Sequence, residues 1–426
     1  MKLREHASRR AIVGEMHLRR WPSIEAPTLV IQILRLVPEN DRTCAREMLA
    51  ALPAGSRITD TDNPKHLAGE LAEGIAFVWE AHTEANAFTL FLPAACPADL
   101  TGLVPDSSIA AALEWALGLQ GEVIRATRMV ILNDEATAIP VVDALGLAEA
   151  ELISCHIGAR ARLWTDFRIG PDGFGRMVIA ANGIGGRNLA RLVQRVQELG
   201  NYRNLALLGL PAARSSWGML NEIEGALREL SGDVSRPEIT DDILLQRVSG
   251  LSLDLMSISV STGYRMNATR AYAQLVEERL AELSPSAIDG FQSLTDFTER
   301  RLLPAVRTCA AHARRVRALS ERTASFTSLL RTRIETRIEN QNARLLESME
   351  RSSSLQLRLQ QLVEGLSVVA LSYYSIGLLG YLLKGIEAAD DRVRAPEILA
   401  LTTPLVVVGI TVALHRLKRR LLLPAA

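Results

Sequence analysis

Two uncharged apolar runs near the C-terminus constrain this chain more than any other feature. GLSVVALSYYSIGLLGYLL (365–383) and ILALTTPLVVVGITVAL (398–414) are separated by a short polar stretch, and the second ends at His415-Arg416-Leu417-Lys418-Arg419-Arg420. At ~1.5 Å rise per helical residue, each run comes close to the ~30 Å hydrocarbon thickness of a bilayer. The expectation is a transmembrane hairpin, with 384–397 as an external loop and 415–426 as a basic cytosolic tail. Arg416, Lys418, Arg419 and Arg420, with Arg344, Arg351 and Arg358 upstream, place both termini in the cytoplasm by the positive-inside rule. The competing reading is a buried helical hairpin in a soluble domain; the lack of charge in both runs and their polar flanks weigh against it.

The rest of the chain is long enough for two or three domains. It opens MKLREHASRR, without the early apolar stretch of a signal peptide, so the part before the hairpin is expected to stay in the cytosol. Cys44, Cys96, Cys155 and Cys309 are far apart and show no CxxC spacing, which signals neither a zinc knuckle nor a disulfide framework. A formal charge of zero conceals a split. Residues 1–299 carry 28 Lys and Arg against 38 Asp and Glu, residues 300–364 carry 13 against 6, and 365–426 carry 7 against 4. The basic excess therefore sits beside the apolar runs, where arginines can face lipid headgroups, line a vestibule, or form a solvated helix face.

Strand signals concentrate before residue 183. TLVIQILRLV (28–37) and ATRMVIL (126–132) are β-branched apolar runs, GIAFVWEAHTEANAFTLFL (74–92) reads as two strands around Glu84-Ala85-Asn86, and ARARLWTDFRI-GPDG-FGRMVIAA is a hairpin turning at Gly170–Gly173. Helical pieces are expected at 42–52, 108–119 and 140–148, which makes residues 1–235 a cytosolic mixed α+β or α/β domain. Gly183-Ile184-Gly185-Gly186 lacks the full dinucleotide fingerprint and reads as a tight turn entering a helix over 187–209; Pro211 is expected to break that pattern before another helix at 215–231.

Residues 236–364 read as a helical hairpin and stalk. Thr240-Asp241-Asp242 caps a helix running to Leu283, a second segment carries Phe291, Leu294 and Phe297, and from Pro304 no proline or glycine occurs until Gly365. One helix of ~120 Å over 305–383 follows, most of it outside a bilayer. Its apolar positions recur every three or four residues from Val316 to Leu362, interrupted by Thr323, Gln341, Ser348 and Ser352. That pattern suits packing around a wet axis or against the preceding helices, and it predicts a homo-oligomer.

Two groups of residues have chemical potential. Strand alternation would put Glu80, His82 and Glu84 on one face, with Glu15 and His17 at the same spacing nearby in the fold, either as ligands for a divalent cation or as a polar network tying the N-terminal segment to the sheet. In the first apolar run Ser372, Tyr373, Tyr374, Gly377, Gly380 and Tyr381, with Glu364 at its mouth, form a pore lining or a helix-packing face. There is no P-loop, GxSxG, HExxH or Cys/His nucleophile pattern, so no catalytic residue is assigned, and no basic patch with interleaved aromatics points to nucleic acid.

TRAYAQLVEERLAEL (269–283), TERRLLPAVRTC (298–309), LLRTRIETRIENQNARLLESM (329–349) and LQLRLQQLVEGLSVVALSYYSIGLLGYL (355–382) resemble the core of a bacterial family of membrane-anchored proteins known only as domain of unknown function 3422. GEMHLRRWPSIEAP, VWEAHTE and NYRNLALLGLP (201–211) are similar to further motifs of that family. The resemblance implies an inner-membrane protein and no particular activity. A looser likeness, in the order of parts alone, is to the CorA-type magnesium channels, which implies an oligomer whose first spans line a cation path; Gly380-Tyr381-Leu382-Leu383 stands where those channels carry Gly-Met-Asn.

Overall fold

A computed structural model describes residues 4–9, 12–13, 21–38, 41, 52–60, 65–93, 107–388 and 394–422. Ten strands form one sheet: β1 (Thr28–Leu36), β2 (Arg57–Asp60), β3 (His66–Ala72), β4 (Ile75–Ala81), β5 (Ala85–Pro93), β6 (Glu122–Leu132), β7 (Ile153–Ile157), β8 (Ala161–Ile169), β9 (Gly175–Ala180) and β10 (Ser286–Ala287). Their order is β10-β7-β8-β9-β6-β1-β5-β4-β3-β2, and every neighbouring pair is antiparallel except β6 with β9. One parallel pair in an otherwise antiparallel sheet makes the domain α+β.

Central β1 is buried along almost its whole length because helices cover both faces of the sheet. Its alternate residues divide between two cores. Leu29, Ile31 and Ile33 pack with α1 (Ser107–Leu117) and α2 (Glu135–Ala144), through Ala112, Ala116, Val141 and Val142. Val30 points the other way, toward Leu189, Leu192, Val193 and Val196 of α3 (Gly186–Leu207). That second core also takes in Val276 and Leu283 of α5 (Asp241–Leu283), with Leu294 and Leu302 beyond it. The helices expected to start a separate hairpin at 236 are thus built onto the sheet. The chain divides into two compact units at Thr327/Ser328.

Several boundaries differ from the sequence reading for identifiable reasons. β4 and β5 pair from Ala81 and Asn86 outward, so the turn lies at 82–84 and Ala85 and Asn86 belong to β5. α2 begins at Glu135 under a capping box from Asp134 and carries Pro140 inside it. α4 (Gly209–Asp233) begins before Pro211, which occupies the first turn, where a missing N–H costs nothing. Gly209 is required there by close approach: a Cβ would stand 2.2 Å from Thr269 Oγ1 on α5. Pro304 does not start a helix either. α6 (Leu294–Phe297) passes through a π turn (Thr298–Leu302) into α7 (Leu303–Glu387), an 85-residue helix. Most of the helix expected at 42–52 lies outside the described residues.

In the first unit the start of α7 packs on α4 and α5, with Val316 and Leu319 against Leu220, Ile223, Leu255 and Ile258. This part of the apolar repeat is used within the chain. In the second unit, Leu345, Met349, Leu355, Leu359 and Leu362 are exposed. There the end of α7 and α8 (Ala395–Leu422) carry the two apolar runs.

Candidate functional site

Among the described residues three helices could cross a membrane by length and composition: α5, the segment containing α7, and α8. The sequence reading expected two spans, and α5 is an additional candidate. Its apolar window is 22% buried within the chain, against 6% and 0% for the other two. Ion pairs also fix α5 to its surroundings in the first unit, Arg247 to Asp233, Arg265 to Glu84 and Arg279 to Glu198.

Within the second unit the anticipated polar face of the first run divides. Ser372 is buried, a Cβ at Gly380 would stand 3.6 Å from the Leu399 side chain of α8, and Glu364 pairs with Lys418 at 2.6 Å. These three serve the hairpin itself. Tyr373, Tyr374 and Tyr381 are exposed, and Gly377 faces open space.

Glu80, His82 and Glu84 do not share a strand face, because β4 ends at Ala81. Glu80, on β4 opposite His66, accepts a hydrogen bond from Trp21 Nε1 at 3.2 Å, which ties the N-terminal segment to the sheet. His82 meets the Tyr202 ring edge-on. Glu84 accepts from Arg265 Nη1 at 2.5 Å and from the Tyr264 hydroxyl at 3.3 Å. Burial and the adjoining Glu84 carboxylate push the Tyr272 hydroxyl well above its ordinary range. Among the described residues no three His, Cys, Asp or Glu side chains form a metal-ligand group. Glu15 and His17 lie outside the described residues.

The sequence reading missed a buried polar assembly between the sheet and α3. Gln32 of β1 donates to Thr89 Oγ1 at 2.9 Å and accepts from Arg125 Nη1 at 3.0 Å; the same nitrogen donates to Asn201 Oδ1 at 2.9 Å, and Thr127 donates to Gln197 Oε1 at 3.1 Å. Gly200 makes room for it. A Cβ there would lie 2.5–2.6 Å from Nη2, Cζ and Nε of Arg125, so the guanidinium rests against the bare backbone of the helix. Next to it, Arg203 sits over the Phe167 ring at 3.8 Å and farther from Phe297 at 5.4 Å. Phe167 reaches that place through a bulge in β8 and a positive φ of 54°, a conformation that is strained for a bulky residue.

Burial, and then the Arg203 charge, push Arg125 down to about 9; burial pushes Arg203 down to about 10. Both remain cations at neutral pH. A cavity of about 240 Å³ opens among β6, β8, β9 and α3, lined by Arg125, Thr127, Thr165, Phe167, Met177 and Arg203. The available signal was Gln197, Asn201 and Asn204 at helical spacing on an otherwise apolar side of α3, within and just before NYRNLALLGLP.

The class of protein these features define is an α+β domain followed by apolar helices compatible with membrane association. Residues 4–421 match the family "Protein of unknown function (DUF3422)", and the chain belongs to it. No curated protein and no solved structure matches the chain.

Proposed function

We propose that the protein is an integral membrane protein in which the apolar end of α7 and α8 form a two-span anchor holding the α+β domain at the cytoplasmic face of a bacterial inner membrane. Both termini are cytoplasmic, and the segment between the spans is external. The observation that carries this reading is exposure: Leu366, Val369, Leu378, Leu382, Leu401 and Leu405 are each 61–75% exposed within the chain. Leaving six such side chains in water would cost on the order of 10 kcal/mol, comparable to the ~5–15 kcal/mol that holds a domain folded. A hydrocarbon solvent removes that cost. The Glu364–Lys418 pair then lies near the headgroups on the cytoplasmic side, where both ends of the hairpin meet.

A second reading, cation conduction, is favoured by the uncovered face of Tyr373, Gly377, Tyr374 and Tyr381. If copies assemble with this face toward a common axis, hydroxyls and small residues line a path. The expected homo-oligomer and the CorA-type order of parts belong to this version; the anchor alone needs neither. Alkaline carbonate washing tests the anchor: the full chain stays in the membrane pellet, and a chain ending at Glu364 does not. A full-length chain released by carbonate refutes it. Passive cation flux in proteoliposomes decides the second reading, which fails if purified oligomers pass no cation down any gradient.

A further inference from the structure

Arginine side chains withdrawn from water ordinarily face carboxylates, as the partly buried Arg265 faces Glu84 and the partly buried Arg279 faces Glu198 here. Arg125 and Arg203 are different. Among the described residues no carboxylate pairs with either of them. Arg125 is held by two amide oxygens, which orient it without cancelling its charge, and its Nη2 has no hydrogen-bond partner. Arg203 sits over the Phe167 ring, a contact that uses the face of the guanidinium and not its N–H groups. Both side chains line the same cavity. Two adjoining cations repel each other, and what stabilises such a pair is an anion placed between them.

The neighbouring arginines sharpen the choice. Arg168 is paired with Glu151, which cancels its charge, and Arg176 donates to the Leu145 carbonyl, which orients it and leaves its charge on the same lining. Arg125 and Arg203 line the cavity together, and their two charges match one group carrying close to two negative charges, as a phosphoryl group does at neutral pH; Arg176 adds to the positive potential there. A volume of about 240 Å³ accommodates that group and a short organic substituent, with Phe167 and Met177 as apolar walls; it is small for a nucleotide.

We propose that this cavity binds a small phosphoryl-bearing molecule, inorganic phosphate or a short phosphate monoester, through the guanidinium groups of Arg125 and Arg203. The site lies wholly in the α+β domain and does not depend on whether the C-terminal hairpin conducts, anchors or does both. The test is isothermal titration calorimetry of the full chain in phosphatidylcholine nanodiscs, with inorganic phosphate and glycerol 3-phosphate as probes and acetate at equal ionic strength as control. A parallel set of discs containing phosphatidate asks whether a lipid phosphate monoester competes for the same site. Saturable binding of the soluble probes, tighter than acetate, is expected. It weakens at least ~tenfold in Arg203→Met, which keeps an apolar chain over Phe167. Arg125→Lys, which keeps the charge but not the planar fork, weakens it as well and guards against a variant that fails to fold. No saturable binding of either phosphate into the millimolar range, or wild-type affinity in a folded Arg203→Met protein, overturns the proposal.

Discussion

Gly200→Ala is the substitution whose sign the structure decides most sharply. In an ordinary helix interior this change stabilises, by about 1 kcal/mol, because alanine restricts the unfolded backbone. In α3 the new methyl would stand 2.5–2.6 Å from three atoms of the Arg125 guanidinium. That group has no easy retreat, since Gln32 and Asn201 hold it from two sides in a buried position. Moving it strains or breaks two hydrogen bonds to a charged donor, each worth ~1.5–3 kcal/mol, and overpacking adds ~1–3 kcal/mol. Partial relaxation and the helix-propensity gain leave a net loss of ~2–3 kcal/mol. For a unit spanning Met1–Thr327 that lowers the melting temperature by roughly 3–4 °C in a thermal scan of the full chain in detergent. The double-mutant cycle isolates the cause: with Arg125→Ala the obstacle is gone, and Gly200→Ala should then be neutral or stabilising. A Gly200→Ala protein as stable as the parent with Arg125 intact would refute the reasoning.

Three further substitutions follow from the same geometry. Arg265→Met leaves the Glu84 carboxylate, 8% exposed, without its cation; with Arg265 itself 30% exposed, a loss of ~2–3 kcal/mol is expected by thermal scan, and Glu84→Gln in the same chain should recover much of it. Trp21→Phe removes the donor to Glu80 and should loosen the N-terminal segment, with a loss of ~1–3 kcal/mol and faster amide exchange in β4. His312 is fully buried against the Ser216 hydroxyl at 2.7 Å, and burial, then the Arg315 charge, lower its pKa from 6.5. The unfolded chain therefore takes up that proton first on acidification, so stability is complete above about pH 6.5 and falls as the pH drops below it. His312→Gln should flatten that part of the melting temperature against pH profile; an unchanged slope would show that another group titrates.

Where local pattern and final structure coincide, the sequence was a good guide. The turn at Gly170–Gly173, the glycine-rich entry to α3 and the span of α5 from Asp241 to Leu283 all rest on local signals, and all stand in the structure. β2, β3, β7 and β10 were missed because each is short or too mixed in polarity to alternate visibly, and β10 also owes its pairing to β7, far back along the chain. The Glu80, His82, Glu84 alignment failed for a related reason: it assumed that a strand continues through a turn set by the β4–β5 register. Arg125 and Arg203 were not legible as a pair. One sits on a strand and the other on a helix, and nothing in either local pattern announces that folding leaves both without a carboxylate among the described residues.

The central claim is that residues 365–414 cross a membrane twice and leave both termini on the cytoplasmic side. Reporter fusions test it directly: alkaline phosphatase, active only outside the inner membrane, and a fluorescent protein that folds only in the cytosol, each joined after Ala388 or at the C-terminus. A phosphatase-positive, dark fusion at Ala388 and a phosphatase-negative, fluorescent one at the C-terminus are predicted. Fluorescence at both positions, with the chain recovered in the soluble fraction, would contradict the account.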